Sequence, residues 1–260
     1  MTTKPLIFVD LDDTLFQTHR RISPDADFRV ASVDKNGQAL AYMKPKQQIF
    51  SDWLFASADV IPVTARSVEA LSRVKLQFQH AAICSHGGTI IDADNNMDMQ
   101  WFDLQQQQVA KLDQSMQDLV EQIHEYAADL GSVRTWAVEE NGLKIYTVAK
   151  QNDTEQPLFL DKIVEKLPAE ISEQFYLHMN GNNLAIIPLA VSKKNAVQFY
   201  LEKYDPLQQR AVMGLGDSLS DFGFLSCCDW FGMPKNSQLH RFSETALDLS
   251  YQSKGYFGNV

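Results

Sequence analysis

The stretch IFVDLDDTLF, from Ile7 to Phe16, decides how the chain folds. The run Leu6–Val9 is continuously apolar, which is typical of a central parallel strand covered on both faces. Three aspartates, Asp10, Asp12 and Asp13, follow within four positions. Like charges this close repel one another, so they cost stability unless a cation or a reaction uses them. The pattern therefore indicates a functional site at the end of a buried strand.

Composition limits the class of protein and its partners. The 260 residues carry a net charge of -10, which argues against a nucleic-acid partner because phosphates need a basic surface. The three cysteines, Cys84, Cys227 and Cys228, match no zinc spacing and favour a reducing compartment. Met1–Pro5 is too short and polar for a signal peptide, and no apolar run approaches a membrane span. We expect a cytoplasmic protein that does not bind membranes.

A second group of apolar segments predicts the rest of an α/β core. DVIPVTAR, ending at Thr64, and AAICS look like core strands, with Pro62 an awkward residue in the first of them. Apolar spacing predicts helices over 45–58 and 67–79, and Ala211–Met213 predicts a later strand. Phe28–Lys44 contains Asn36-Gly37, which predicts a two-stranded flap closed by a type I′ turn.

Between about residues 92 and 183 the pattern changes to helix, hairpin, helix, hairpin. A long helix is predicted over 103–130 and a second over 155–167, with hairpins turning at Asn141-Gly142 and Asn180-Gly181. This order is typical of an α+β unit with an antiparallel sheet. We predict a catalytic core formed by residues 1–88 and 186–260, with residues 89–185 inserted as a cap domain.

Polar side chains follow the ends of the predicted core strands, where open α/β sheets place their ligands. They are Asp10 and Asp12, Thr64 and Arg66, Lys193, and Asp217 and Asp221. Carboxylate oxygens suit Mg²⁺, which keeps water and phosphate oxygens as its other ligands. A lysine beside them would balance the negative charge and attract a phosphate.

These motifs resemble those of the haloacid dehalogenase superfamily of phosphohydrolases. Its first motif, Asp-x-Asp-x-Thr after a strand, stands here as Asp10–Thr14, and its second as Thr64 in VTAR. Its third motif fits Lys193 in AVSKKNAV, and its fourth, Gly-Asp-x-x-x-Asp, is Gly216–Asp221. The insertion makes the chain most similar to the subgroup of sugar-phosphate phosphatases with a large α+β cap (Cof-type). The resemblance implies an α/β fold with a Rossmann-like parallel-sheet core and an inserted α+β cap.

The resemblance also implies a role for each site residue. Asp10 would be the nucleophile that forms an aspartyl-phosphate, and Asp12 the acid and base for the leaving group and the water. Magnesium would bind the side chains of Asp10 and Asp217 and the carbonyl of Asp12, with Asp221 supporting the metal. Lys193 and Thr64 would bind the phosphoryl oxygens, and the substrate would be a small phosphorylated metabolite.

Three positions stay open at this point. Lys193 is favoured over Lys194 because Ser192 precedes it as a helix cap, although the family places a small residue where Lys194 stands. Arg66 is counted among the substrate-binding residues, but it could instead orient the loop after Thr64. His86 stands where the family often has asparagine, and its role is open.

Two alternative functions remain beside a magnesium-dependent phosphatase acting on a sugar phosphate. The same motifs would serve a phosphotransferase or mutase that passes the phosphoryl group to another hydroxyl. A non-catalytic module that binds a phosphorylated metabolite is the other, although such a module has no need for both Asp10 and Asp12. The particular substrate, the role of the flap and the oligomeric state are not readable from the sequence.

Overall fold

The computed structural model describes residues 4–151 and 158–252. Its strands are Leu6–Val9 (β1), Gln17–Thr18 (β2), Arg29–Val33 (β3), Ala39–Met43 (β4), Asp59–Pro62 (β5), Ala82–Cys84 (β6), Thr89–Ile91 (β7), Val133–Glu140 (β8), Leu143–Gln151 (β9), Phe175–Asn180 (β10), Asn183–Pro188 (β11), Val212–Leu215 (β12) and Trp230–Gly232 (β13). Its helices are Pro45–Ser57 (α1), Val68–Ser72 (α2), Met99–Val109 (α3), Asp113–Ala127 (α4), Leu160–Lys166 (α5), Lys193–Tyr204 (α6), Phe222–Leu225 (α7) and Gln238–Gln252 (α8). In the described ranges, no helix combines the length and the apolar character needed to cross a membrane.

A four-stranded parallel sheet forms the centre of the fold, in the order β13-β12-β1-β5. All four residues of β1 are buried, as the apolar run predicts. Pro62 is tolerated because Val63 donates its N–H to Val9, so the N–H that Pro62 lacks would point away from β1. The predicted α/β class with a parallel sheet is confirmed.

A second sheet is antiparallel, in the order β10-β11-β9-β8. It contains both predicted hairpins, β8–β9 and β10–β11. Side chains of α4 and α5, including Met116, Ile123 and Ile163, form one buried cluster with its strands. This α+β unit is referred to below as the cap.

The predicted domain division, with the cap starting at residue 89, stays a prediction. Ile90 and Trp101 pack in a core cluster with Ala196 and Val197 of α6, whereas Val109 packs in the cap cluster. We therefore propose that the cap begins within α3, after Trp101.

Two predicted helices differ from the structure. The long helix over 103–130 is instead two helices, α3 and α4, separated by a 3₁₀ turn at Ala110–Leu112. The break lies between Trp101, which packs in the core cluster, and Met116 of α4, which packs in the cap cluster. The helix over 67–79 ends at Ser72, because the chain beyond it pairs with β3: Lys75 donates its N–H to Ala31, and Val33 donates to Arg73.

The predicted flap is a three-stranded sheet, β2-β4-β3, rather than a two-stranded hairpin. Its turn is not type I′, which needs a positive φ at both central residues. Here Gly37 has φ +79, and Asn36 is not among the residues with positive φ. The Asp34 carboxylate accepts from the N–H of Asn36 and of Gln38, both at 2.8 Å, and these bonds fix a wider turn.

The helix predicted over 155–167 begins at Leu160 in the described chain. Its first predicted residues, up to 157, lie outside the described residues. The strand predicted at Ala211–Met213 is β12, which begins and ends one to two residues later.

Candidate active site

A buried lysine lies between two aspartates at the carboxyl end of the parallel sheet. Lys193 Nζ donates to Asp10 Oδ1 at 2.7 Å and to Asp221 Oδ1 at 2.6 Å. Asp10 directly follows β1, and Lys193 is the first residue of α6, where the Ser192 side chain caps the helix by accepting from Asn195 N–H. The structure therefore brings Lys193 into the site, while the neighbouring Lys194 is exposed.

Burial sets the charges of this group. Burial raises the pKa of Asp10 well above its ordinary value, although Lys193 opposes that rise. At Asp221 burial also acts to raise the pKa, but Lys193 and the hydrogen bonds from Ser218 outweigh it, so that pKa lies below its ordinary value. Burial disfavours the cationic form of Lys193, but its two carboxylate partners raise its pKa overall. Lys193 therefore keeps its proton and holds both aspartates in place.

The loop Gly216–Asp221 is organised by its last residue. Asp221 Oδ2 accepts from Asp217 N–H at 3.2 Å, from Ser218 N–H at 3.0 Å and from Ser218 Oγ at 2.7 Å. These bonds turn Asp217 toward β1, where Thr14 Oγ1 lies 3.5 Å from Asp217 Oδ1 and 3.4 Å from Asp10 Oδ2. Thr14 was not singled out in the sequence beyond its place in the first motif.

Asp10, Asp217 and Asp221 can converge on one cation. A ligand oxygen from each lies within 4.8 Å of the others. Burial, Asp221 and Asp13 together raise the pKa of Asp217 to about 7, and Lys193 and Arg21 only partly offset that rise, so this carboxylate would gain from a bound cation. Only oxygen ligands are present, as hard cations such as Mg²⁺ require, so these residues fit the predicted metal.

Arg66 binds Asp12. Its Nε and Nη2 donate to the two Asp12 carboxylate oxygens, each at 2.7 Å, and its guanidinium lies over the Phe16 ring at 5.3 Å. Arg66 was predicted to bind substrate or to orient the loop after Thr64. The structure places it on the predicted acid and base of the site, an arrangement that the sequence motif did not show.

Thr64 lies at the end of β5, as predicted, but only part of it is available to a ligand. Its N–H donates to the Ile83 carbonyl at 2.9 Å, so this group is not available to a phosphate. Its Oγ1 accepts from Arg66 N–H at 3.1 Å, which leaves the hydroxyl proton to be donated. The backbone bond arises because β5 continues into a bridge with β6.

The turn Ser85–Gly87 brings His86 into the site. Ser85, His86 and Gly87 all have positive φ, at 52, 57 and 97, a backbone strain that clusters at functional sites. The His86 ring lies 5.3 Å from that of His178, which comes from the cap. Burial, then His178 and Lys193, lower the pKa of His86 well below its ordinary value, so its imidazole is neutral.

Tyr146 and Glu140, which sequence reasoning missed, join the cap to the core. The Tyr146 hydroxyl donates to the Ala65 carbonyl at 3.1 Å, one residue after Thr64. Glu140 Oε1 accepts from Val68 N–H at 2.9 Å and from Ser85 Oγ at 2.6 Å. The sequence shows Glu140 at the end of a predicted strand. It does not show that this glutamate is buried, or that it faces Val68 and Ser85.

Core and cap together enclose a cavity of about 530 Å³. Its lining includes core residues Asp10, Asp217 and Lys193 and, from the cap, His178 and Asn180. The cavity therefore has the acidic cluster on one side and the cap on the other.

Comparison with known proteins agrees with this geometry. Residues 133–231 match the family model for haloacid dehalogenase-like hydrolases. That range includes Lys193, Asp217 and Asp221 but not Asp10 or Thr64. No curated protein matches the chain in sequence.

Solved structures share the whole fold. A trehalose-6-phosphate phosphatase related protein is 16% identical, with 95% of this chain and 99% of that one covered and a TM-score of 0.52. The sucrose-phosphatase of Synechocystis sp. PCC6803, in complex with sucrose and phosphate, is 13% identical, with coverage of 96% and 99% and a TM-score of 0.50. The C-terminal domain of trehalose-6-phosphate phosphatase from C. albicans is 14% identical, with coverage of 99% and 79% and a TM-score of 0.56.

At these identities the structural likeness establishes the fold, and the family model adds the hydrolase class. The resemblance inferred from the motifs is confirmed: residues 133–231 are similar to haloacid dehalogenase-like hydrolases, and the whole chain shares the fold of the solved structures. The findings also support the predicted enzyme class, a phosphoric monoester hydrolase.

Proposed function

We propose that the protein is a magnesium-dependent phosphatase that hydrolyses a small phosphorylated metabolite, with a sugar phosphate as the expected substrate. The observation that carries this proposal is Lys193 Nζ held between Asp10 Oδ1 and Asp221 Oδ1, with Asp217 in reach of the same cation. A nucleophile, a phosphate-binding cation and a metal site thus meet in one cavity. The solved structures named for trehalose-6-phosphate and sucrose phosphatases support a sugar phosphate as substrate.

The side chains of Asp10 and Asp217 and the carbonyl of Asp12 would hold Mg²⁺, with Asp221 fixing the loop that carries Asp217. Bound there, the ion would offset the charge of the phosphate and of the carboxylates that surround it. All other steps fall to side chains of the chain itself.

Asp10 is the proposed nucleophile. Its carboxylate oxygen would bond to phosphorus while the bond between phosphorus and the leaving oxygen breaks, which leaves an aspartyl-phosphate. Lys193 holds Asp10 Oδ1 and Thr14 Oγ1 lies 3.4 Å from Asp10 Oδ2, so the carboxylate is fixed at both oxygens before substrate binds. The ammonium group also reduces the repulsion between two anions, which otherwise opposes this attack.

Asp12 is the proposed acid and base. It would give a proton to the leaving alkoxide and later remove one from the water that attacks the aspartyl-phosphate. Arg66 holds both carboxylate oxygens of Asp12, so one of these bonds must open before an oxygen can carry a proton to substrate. Arg66 would therefore position Asp12 rather than bind the phosphate.

The proposed location is the cytoplasm, where phosphorylated metabolites are found. The three cysteines are free in the structure, which fits a reducing compartment.

Release of inorganic phosphate from a panel of phosphorylated sugars, acids and alcohols tests the proposal. We expect release with Mg²⁺, loss of release in a chelator, and recovery when Mg²⁺ is added in excess of the chelator. Excess Ca²⁺ should inhibit, because its larger and looser ligand shell would misplace Asp10. Full activity in the chelator would remove the metal from the mechanism, and transfer of phosphate to an added sugar in place of release would favour a phosphotransferase.

A further inference from the structure

The cap sheet turns one face toward the core, and that face is arranged in rows across the strands. Thr147 lies on the opposite face, since its hydroxyl donates to Met116 of α4, whereas Tyr146 lies on the core side because it bonds to Ala65. Residues paired directly across antiparallel strands point to the same face, so each row follows from the strand register. His178 belongs to one row, together with Ala185, Val148 and Trp136.

The next row outward is rich in cations. It consists of Asn180, Asn183, Lys150 and Arg134, on β10, β11, β9 and β8 in turn. We call these four residues the distal row. Neighbouring strands lie about 4.8 Å apart, so Lys150 lies about 10 Å from Asn180 across the sheet.

The distal row begins at the active-site cavity. Asn180 lines that cavity, and its side-chain oxygen accepts from Arg21 Nη2. Arg21 in turn pairs with Asp13, beside the catalytic motif, at 3.3 Å. The loop that contains Arg20 and Arg21 therefore lies between the first motif and the distal row.

Three cations gather at the far part of this row. Arg134 and Lys150 are direct cross-strand partners, and Arg20 from the loop adds a third charge. The Arg134 guanidinium lies 4.5 Å from the centre of the Trp136 ring, which holds it in place. Within residues 4–151 and 158–252, no carboxylate forms a salt bridge with any of the three.

The clustering of these charges has an energetic cost. Like charges placed directly opposite each other on adjacent strands are destabilising. Burial, followed by the charges of Arg20 and Arg134, lowers the pKa of Lys150. The chain as a whole carries a net charge of -10, so a patch of cations that has no acidic partner among the described residues runs against its composition. An anion bound among them would offset the repulsion.

We propose that Lys150, Arg134 and Arg20 bind a second anionic group of the substrate, a phosphate or a carboxylate, while the core acts on the first phosphate. This inference rests on the proposed phosphatase function and narrows its substrate class to phosphomonoesters with a further negative charge. Asn180 lines the cavity and Lys150 lies about 10 Å further along the row, so the second group would extend from the cavity past Asn180.

Equilibrium binding tests the subsite separately from turnover. Asp10→Asn protein with Mg²⁺ is titrated by calorimetry with a hexose bisphosphate, the matching hexose monophosphate and a phosphorylated sugar acid. The same titrations are repeated with Lys150→Gln added. The matched control is Lys162→Gln, which removes the same charge from α5 at an exposed position among the helices of the cap.

We expect the bisphosphate or the phosphorylated sugar acid to bind at least about tenfold more tightly than the monophosphate, and the better of the two identifies the second group. Lys150→Gln should reduce that preference about tenfold, since a hydrogen bond to a charged group is lost, and Lys162→Gln should preserve it. Equal binding of all three ligands, or equal losses in both variants, would overturn the subsite. If the preference is found but wild-type protein releases no phosphate, the proposed function fails and the subsite stands. If phosphate is released without any preference, the subsite alone fails.

Discussion

The catalytic cluster of the core and the distal row of the cap both hold charged side chains, but they hold them differently. In the core, Lys193 is buried and contacts Asp10 and Asp221 at hydrogen-bond distance. In the distal row, Arg134 and Lys150 lie side by side with like charge and, in the described chain, without an acidic partner.

The difference shows how the work of this enzyme is divided. Charges that are paired before substrate arrives have fixed positions, which is what a reaction requires of a nucleophile and its lysine. Charges without an acidic partner gain the most interaction energy when an oppositely charged ligand binds. Such charges can therefore discriminate between substrates with and without a second anionic group. This difference fits the proposals that the core carries out the chemistry and that the distal row selects the substrate.

The largest expected effect comes from removing Asp10, the proposed nucleophile of the core. Asp10→Asn should lower kcat by at least about a thousandfold, because an amide cannot attack phosphorus. Phosphate release from an aryl phosphate measures the loss, with circular dichroism to check folding. Asp118→Asn, which makes the same change on the exposed surface of α4, is the matched control. If Asp10→Asn protein turned over substrate near the wild-type rate, the cluster around Lys193 would not be catalytic. The proposed difference in role between this cluster and the distal row would then be wrong.

A smaller and substrate-dependent effect is expected at Asp12. Asp12→Asn should slow hydrolysis of an alkyl phosphate about a hundredfold and that of an aryl phosphate much less, because an aryl leaving group needs little protonation. The ratio of the two rates is the measurement. Arg66→Lys keeps a positive charge but loses the two-pronged contact, so it should shift this ratio in the same direction by a smaller amount. Equal losses on both substrates would argue against Asp12 as the acid.

At Glu140, which joins the cap to the core, we expect a substitution to change the stability of the fold rather than the reaction. Glu140→Ala would leave the Val68 N–H and the Ser85 hydroxyl without their acceptor, at a cost of about 2 kcal/mol in the free energy of unfolding. Urea denaturation measures the loss. Glu139→Ala, its exposed neighbour, is the control, and Glu140→Gln should cost less because the amide oxygen still accepts. An unchanged unfolding midpoint in Glu140→Ala would show that this contact does not join core and cap.

Residues whose roles follow from local sequence were the ones that could be predicted. Asp10 follows an apolar run, Gly216–Asp221 is a short motif, and Ser192 marks the start of a helix, so strand ends and caps predicted which residues meet around Lys193. The partner of Arg66 could not be predicted, because Asp12 lies 54 positions away and only the folded sheet brings the two together. The helix expected over 67–79 ended early for the same reason, since pairing with β3 outweighed helical periodicity.

The cap shows the same limit. Both hairpins were predicted from their Asn-Gly turns, but the distal row depends on pairing between β9 and β11, which come from different hairpins. Register between such strands is fixed by packing of the whole sheet, and a shift of one residue would reverse every side chain. Arg134 was a candidate for selecting the substrate only because of its location in the cap, and its alignment with Asn180 and Asn183 could not be read from the sequence.

The turn at Gly87 bears on how the sequence of this enzyme is able to vary. A Cβ at Gly87 would lie 2.3 Å from the Ser192 carbonyl oxygen and 2.7 Å from the Lys193 nitrogen, and the residue has φ +97. Any side chain there would push the start of α6, and with it the lysine, away from Asp10. Among related sequences, the activity should therefore persist only where Gly87 is kept, although Gly87 has no side chain to take part in the reaction. Gly87→Ala is a small change by the usual measures of amino-acid similarity. It would nevertheless displace Lys193, which lies 106 positions further along the chain, and so reduce the activity.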